Sequence, residues 1–429
     1  MKNIAKTIIV RIITWQASML LKKHKPMVVA VTGSVGKTST KDAIYCAIKN
    51  SIPARKSQKS FNSDIGVPLT VLGLSNGWNN PVLWAKNVID GFFTILFSKD
   101  YPKVLILEAG IDRPGDMAAL TKWMRPNIVV LTRLPAVPVH VEYFSTPEEV
   151  VNEKMKLVEA LTDDGVVVYN NDDTIIQQQL PLIRQKTVGY SRYLKSDFNT
   201  TGDKIIYNDN RIISTEFTVT HNDENYAIKL QDTVGTQHVY ACSAALAVAY
   251  EIGISLTEAV SGLQELVTPL GRMRIIEGLK STTIIDDTYN SSPIAVEAAI
   301  ESLREIKYAK RKIAVLGDML ELGKYSSAAH YKVGEQVADT VDLLITIGVR
   351  SRKTAAGALA SGLSEEQVLQ YDDVGRAGRE LQNILQPGDV VLVKASQGLR
   401  TERIVEEVMA DPLRAPDVLV RQSSAWLKR

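Results

Sequence analysis

Short apolar runs alternate along the chain with stretches whose apolar residues recur every three or four positions. Residues 27–32 (MVVAVT), 104–107 (VLIL), 128–132 (IVVLT) and 166–169 (VVVY) read as strands buried on both faces, with helical patterns between them. That alternation predicts an α/β fold, a doubly wound parallel sheet covered by crossover helices. From about 187 to 234 the pattern changes to alternating segments such as 211–220 (RIISTEFTVT), separated by Asn, Asp and Gly. They predict an antiparallel β insertion at the edge of the first domain. After an Ala-rich helix around 241–250, Pro269-Leu270-Gly271-Arg272 reads as a linker, and a second strand series follows at 283–286, 312–316, 343–347 and 390–393. The expected organisation is an N-terminal amphipathic helix over 1–26, a central domain over 27–270 and a Rossmann-like α/β C-terminal domain over 271–429.

The opening segment combines an apolar series (Ile4, Ile8, Ile9, Ile12, Ile13, Trp15, Met19, Leu20, Leu21) with flanking Lys2, Lys22, Lys23 and Lys25. Lys6 and Arg11 interrupt it before the roughly 20 apolar positions a membrane span needs, and no small-residue cleavage site follows. An amphipathic helix is expected, packed on the domain behind it or resting on the inner membrane surface. The stretch 78–97, rich in Trp and Phe but holding Lys86 and Asp90, invites the same reading. Composition narrows the classes further. With 45% hydrophobic and 23% charged residues the chain is a folded one, and 50 basic against 48 acidic residues (+2) leave no global field for nucleic acid. Two cysteines, Cys46 and Cys242, exclude a disulfide framework and fit a reducing, cytoplasmic setting.

The sharpest chemical signal is Thr32-Gly33-Ser34-Val35-Gly36-Lys37-Thr38-Ser39, directly after a strand and opening a helix. Glycines let backbone N–H groups close on phosphate oxygens, Lys37 supplies a point charge, and Thr38 offers a hydroxyl to Mg2+. The general phosphate-loop pattern would place glycine where this chain has Val31, so the loop is a variant. Glu108, ending the 104–107 strand, falls at the carboxyl edge of the sheet, where doubly wound folds bind ligands. His140 follows a proline-punctuated loop at the same edge.

Eight ordered segments together carry a resemblance: VTGSVGKTSTKDAI (31–44), SFNSDIGVPLTVL (60–72), LEAGIDRPGDMAALT (107–121), HVEYFSTPEEVVNEK (140–154), GRM (271–273), DDTYNSSP (286–293), AVLGDMLELG (314–323) and VLVKASQGLR (391–400). In them the chain resembles the Mur ligase family, ATP-dependent amide ligases of peptidoglycan precursor synthesis. DDTYNSSP and GDMLELG draw it towards the branch that adds D-alanyl-D-alanine to a UDP-N-acetylmuramoyl tripeptide. The resemblance implies activation of a carboxylate as an acyl phosphate, attack by an amine, and catalysis by Lys37, His140 and Lys154. It implies ATP binding by Gly33, Ser34, Val35, Gly36, Lys37, Thr38, Ser39, Arg272, Asp287, Tyr289 and Asn290. Two Mg2+ ions are implied on Thr38, Glu108, His140 and Lys154, the last as a carbamylated lysine. Asn62, Ser63, Asp318 and Lys394 are implied as substrate contacts.

Departures shape the expectation. The family usually begins with a UDP-sugar-binding domain, whereas about 26 residues precede the nucleotide strand here, so the acceptor is expected to use the N-terminal helix, a partner protein or no UDP. Gln237, His238 and Ala241 stand where the family shows His-Asn and Asn, and Lys394-Ala395-Ser396-Gln397 replaces Lys-Gly-Ser-Arg. The loop before His140 is about two residues longer than the family's usual one. The rivals are a folylpolyglutamate-synthetase-like ligase, against which DDTYNSSP argues, and a nucleotide-dependent binding module, against which the His140–Lys154 spacing argues. The partners expected are small molecules, with peripheral membrane contact as an addition and a monomer as the working state.

Overall fold

The computed structural model describes residues 2–58, 61–78, 80–208, 211–423 and 426. Ser60, which opens one quoted segment, and the side chains of Lys2 and Ile4 lie outside that description.

Two sheets organise the chain. The first joins β1 (Met27–Thr32), β2 (Ala54–Lys56), β3 (Val104–Glu108), β4 (Ile128–Leu131), β5 (Val166–Asn170), β6 (Lys186–Ser191), β7 (Phe198–Asn208), β8 (Arg211–His221) and β9 (Glu224–Gln231) in the order β2-β3-β1-β4-β5-β6-β7-β8-β9. The second joins β10 (Arg274–Gly278), β11 (Thr282–Asp286), β12 (Arg311–Gly317), β13 (Leu343–Ile347), β14 (Val368–Tyr371) and β15 (Asp389–Lys394) in the order β10-β11-β15-β12-β13-β14. Within it only β10 runs antiparallel to its neighbour.

The first sheet corrects one expectation. The region from 187 is not antiparallel at its start, because β6 pairs with β5 in parallel and β7 joins β6 in parallel. Antiparallel pairing begins with β7–β8 and continues to β9, forming the edge of one continuous sheet. Alternation in sequence reports a half-exposed strand, not its direction. The short β2, β10 and β14 were not anticipated, being polar or half-buried edge segments without a long apolar run.

Alternate residues of β1 feed two cores. Val29 and Val31 pack beneath helix α2 (Lys37–Ile48) and the helix Thr236–Glu251, with Ile44, Ile48, Ala244 and Val248. Val28 and Ala30 face the opposite layer, which includes α1 (Lys2–His24), α3 (Gly66–Leu72), α5 (Asp116–Thr121) and α6 (Pro147–Glu159), with α4 (Pro81–Phe97) packed beside α1. A strand buried on both faces has this two-sided apolar composition. Ile13, Ala17 and Leu20 anchor α1 by full burial, while Ile8, Trp15 and Met19 face outwards. The N-terminal helix is therefore packed on its domain, with apolar residues on both its faces.

A cleft built on two domains

The strand order turns back at β1, which has β3 on one side and β4 on the other, and the crevice beyond its carboxyl end is where such folds bind ligands. The phosphate loop occupies that point. Gly33 has φ +143°, and a Cβ there would lie 2.0 Å from Thr132 Oγ1. Thr132 in turn donates to the Val35 carbonyl at 2.7 Å, and Ser34 N donates to Arg133 O at 2.7 Å. Glycine is thus required by a close approach that pins the loop to the end of β4. Gly36, left-handed at φ +87°, turns the chain into α2.

A cleft of about 290 Å3 opens over this loop, and both halves of the chain line it. Ser34, Val35, Gly36, Lys37, Thr38, Asn62, Glu108, His140 and Lys154 come from the first half, and Arg272, Tyr289 and Asn290 from the second. Thr38 Oγ1 donates to Glu108 Oε2 at 2.9 Å, and Asn62 Nδ2 donates to Glu108 Oε1 at 3.2 Å. A hydroxyl beside a buried carboxylate fits a hard cation that arrives with a nucleotide, since Mg2+ takes one or two protein oxygens and keeps the rest for phosphate and water. Among the described residues no three His, Cys, Asp or Glu side chains converge to hold a metal by themselves. Among the described residues, the cleft-lining donors Ser34 Oγ, Ser291 Oγ and Arg272 Nε are buried without a hydrogen-bond partner, as suits a site for a polyphosphate.

Two lysines converge on one acceptor. Lys37 Nζ donates to Gly33 O at 2.8 Å, and Lys154 Nζ reaches the same carbonyl at 3.3 Å. Lys154 sits in mid-α6, a helix capped by Thr146 and held against α5 by Glu153, whose carboxylate accepts from Met117 N at 2.9 Å. Burial, then the neighbouring Lys37 charge, holds the Lys154 amine well below the usual lysine range. Burial also lowers Lys37, with Glu108 opposing that shift.

The opposite wall is braced from behind. Arg272 stacks over the Tyr289 ring at 4.1 Å, and Gly271, at φ +67°, accepts from Tyr289 N. Arg421 donates to the carbonyls of Thr288 and Tyr289 and pairs with the buried Glu402 at 3.0 Å. His238 is fully buried, its Nε2 2.9 Å from Arg272 O, so it ties its helix to the linker, and burial lowers it to about 4.

Several expected site residues stand elsewhere. Lys394 is 2% exposed, bonded to Asp287 at 2.6 Å and to Asn290 O at 2.9 Å, so this pair buttresses the Asn290 turn instead of lining the cleft. Asp318 accepts from Ser351 N at 2.7 Å and caps the turn after β13. Ser63 is exposed, its hydroxyl accepting from Gly66 N at 3.4 Å. Gly33 and Ser39 shape the loop and the first turn of α2 without lining the cleft. Glu321 joins the site from outside the expected set: its carboxylate lies 2.7 Å from His140 Nδ1 across the domain junction, while Asp112 lies 3.6 Å from Nε2. Glu321, Asp112 and the cleft-lining Gln397 all fall inside segments quoted from the sequence, which was the signal available.

Comparison with known proteins agrees with this architecture. The Mur ligase middle domain matches residues 31–249, and the Mur ligase glutamate ligase domain matches residues 271–397. The UDP-N-acetylmuramoyl-tripeptide–D-alanyl-D-alanine ligase of Bacillus subtilis is 27% identical over 401 residues, covering 92% of this chain and 79% of the relative. The Mycobacterium leprae enzyme of the same name is 28% identical, covering 90% of this chain and 74% of its own length. A crystal structure of MurF ligase from Thermotoga maritima in complex with ADP superposes with a TM-score of 0.75 at 26% identity, covering 93% of this chain and 83% of that one. With the middle-domain match alone spanning just over half of the 429 residues, this chain belongs to the Mur ligase family.

Proposed function

We propose that the protein is an ATP-dependent amide ligase of peptidoglycan precursor synthesis that joins D-alanyl-D-alanine to a UDP-N-acetylmuramoyl-tripeptide-like acceptor. The carrying observation is a single cleft that sets the phosphate loop, Glu108, His140 and Lys154 against Arg272, Tyr289 and Asn290 of the following domain. A switch needs only the loop; a ligase needs a second wall to bring an acyl phosphate and an amine together.

In this reading the acceptor carboxylate oxygen attacks the γ-phosphorus of ATP, the bond to the β-phosphate oxygen breaks, and ADP leaves. The amine of D-alanyl-D-alanine then attacks the acyl carbon and loses a proton, and inorganic phosphate departs to leave the amide. Lys37 and Arg272 neutralise the phosphoryl oxygens, which is a matter of position and charge. The loop N–H groups and Ser34 hydroxyl orient the phosphates. Mg2+ held by Thr38 and Glu108 would supply further charge neutralisation, and a second ion would be held by His140 and Lys154. For that role Lys154 must be carbamylated: its neutral amine adds to CO2 and releases one proton, turning a cation into an oxygen ligand. The lowered Lys154 pKa supports this, because only the unprotonated amine reacts. Asp287 and Lys394 act as positioning residues for the Asn290 turn. Asn62 positions Glu108 by donating to its carboxylate, and Ser63 and Asp318 are left for acceptor and dipeptide contacts outside the cleft proper.

The test is phosphate release from ATP with D-alanyl-D-alanine and a UDP-N-acetylmuramoyl tripeptide, each omitted in turn. Dependence on both supports the reading; release that ignores either one overturns it.

A further inference from the structure

Helices α1 and α4 lie side by side and parallel. Gln16 Nε2 donates to Val88 O at 2.8 Å and Lys23 Nζ donates to Ile95 O at 2.6 Å, the same offset one turn pair further on. Trp15 meets Phe92 with ring centroids 5.9 Å apart, so the outer faces of the two helices join into one surface. On α4 the usual distribution is inverted. Its buried residues are Asn87 and Gly91, whereas Phe93, Leu96 and Phe97 are 57–68% exposed. Gly91 is small because a Cβ there would lie 2.3 Å from Gln16 Oε1, and Asn87 is satisfied by Ser75 O. The helix is thus fastened by its polar side, leaving an aromatic face with Trp15, Ile89 and Phe92 turned to solvent. Contiguous exposed apolar surface of this kind marks an interaction site.

Charge selects the occupant. Lys2, Lys6, Arg11, Lys22, Lys23 and Lys25 place six positive charges on the first 25 residues, which contain no Asp or Glu, although the whole chain carries only +2. The remaining residues therefore carry +2 − 6 = −4. A second copy docking face to face would set these cations against their own kind, since a two-fold contact pairs a patch with itself. An anionic bilayer neutralises them while its acyl boundary takes up the aromatic rings. Among the described residues no helix is long and apolar enough to cross a membrane, which suits a pair of helices lying in the interface.

We infer that the α1–α4 face is a docking surface for an anionic phospholipid bilayer, holding the ligase cleft at the membrane surface. The inference stands on the surface alone and does not depend on the ligase's substrates. Cosedimentation of the full chain with vesicles containing phosphatidylglycerol should exceed that with phosphatidylcholine alone by about ten-fold or more and should fall with added salt. Phe93→Asp/Phe97→Asp and, separately, Lys6→Glu/Arg11→Glu/Lys22→Glu should each weaken it by about ten-fold or more. Melting temperature should not change, because these side chains face solvent. Failure to sediment with anionic vesicles at low salt overturns the inference, as does equal binding to both vesicle types. A dimer seen by light scattering and dissolved by Phe93→Asp/Phe97→Asp, without vesicle binding, assigns the face to a second copy instead.

Discussion

Lys154→Met separates the two properties that the buried lysine carries. Methionine keeps the length and most of the volume of the side chain while removing the amine. The Gly33 carbonyl is not orphaned, because Lys37 Nζ still donates to it at 2.8 Å. A lysine whose folded pKa lies below its unfolded value leaves the native state with fewer bound protons than the unfolded chain in the interval between the two. Stability then rises with pH through that interval, here the range below the ordinary value of 10.5, by about 1.4 kcal/mol per pH unit for each such group. Lys37 and Lys394 contribute in the same sense and remain in both proteins, so the difference between wild type and variant reports Lys154 together with its repulsion from Lys37. In CO2-depleted buffer at neutral pH, Lys154→Met should be more stable than wild type, by about 1.4 kcal/mol for each pH unit by which burial lowers the amine down to the working pH. The advantage should shrink as pH rises towards 10.5. Ligase activity should be lost, and a carbamate carbon signal obtained with 13C-bicarbonate should appear in wild type only. Thermal melts across pH provide the assay. Equal stability and equal pH slope in the two proteins, together with retained activity, would refute both the burial argument and the carbamate.

Lys37→Ala should lower phosphate release by about 10^3-fold while circular dichroism stays unchanged, since the loop is shaped by Gly33, Gly36 and Thr132 and the lysine adds charge. Glu321→Gln should lower kcat by about ten-fold or more with only a small fall in melting temperature, because it removes the half-exposed carboxylate that clasps His140 from the other domain. His238 stays neutral when folded, at about 4, so the unfolded chain takes up its proton first as pH falls from 6.5. Its stabilising contribution is complete above 6.5 and is lost towards 4, amounting to about 3 kcal/mol. Melts of His238→Gln should show a smaller loss over that range than wild type, and an identical loss would contradict the assignment.

The parallel cores and the nucleotide crevice were legible in sequence because strands buried on both faces write continuous apolar runs, and the loop joins a strand to a helix with fixed residue types. Strand direction in the 187–231 region was not legible, since neither β6 nor β8 carries a continuous apolar run, although one pairs in parallel and the other antiparallel. Most of the cleft lining could be anticipated, Glu108 and Lys154 included. Lys394 could not be placed, because its pairing with Asp287 links residues more than a hundred positions apart and only the folded sheet brings β11 and β15 together. Glu321 is hidden in the sequence for a similar reason: its partner His140 lies in the other domain. The aromatic face of α4 was visible as composition, but its outward direction depends on the packing of Asn87 and Gly91 against neighbours distant in sequence.

The most direct measurement is mass spectrometry of the purified full chain incubated with ATP, Mg2+, D-alanyl-D-alanine and a UDP-N-acetylmuramoyl tripeptide, with ADP quantified in the same reaction. The account predicts an acceptor heavier by the dipeptide less one water, formed with one ADP per product and absent with Lys37→Ala. ADP formed without ligated product, or an equal rate when the dipeptide is omitted, would contradict it.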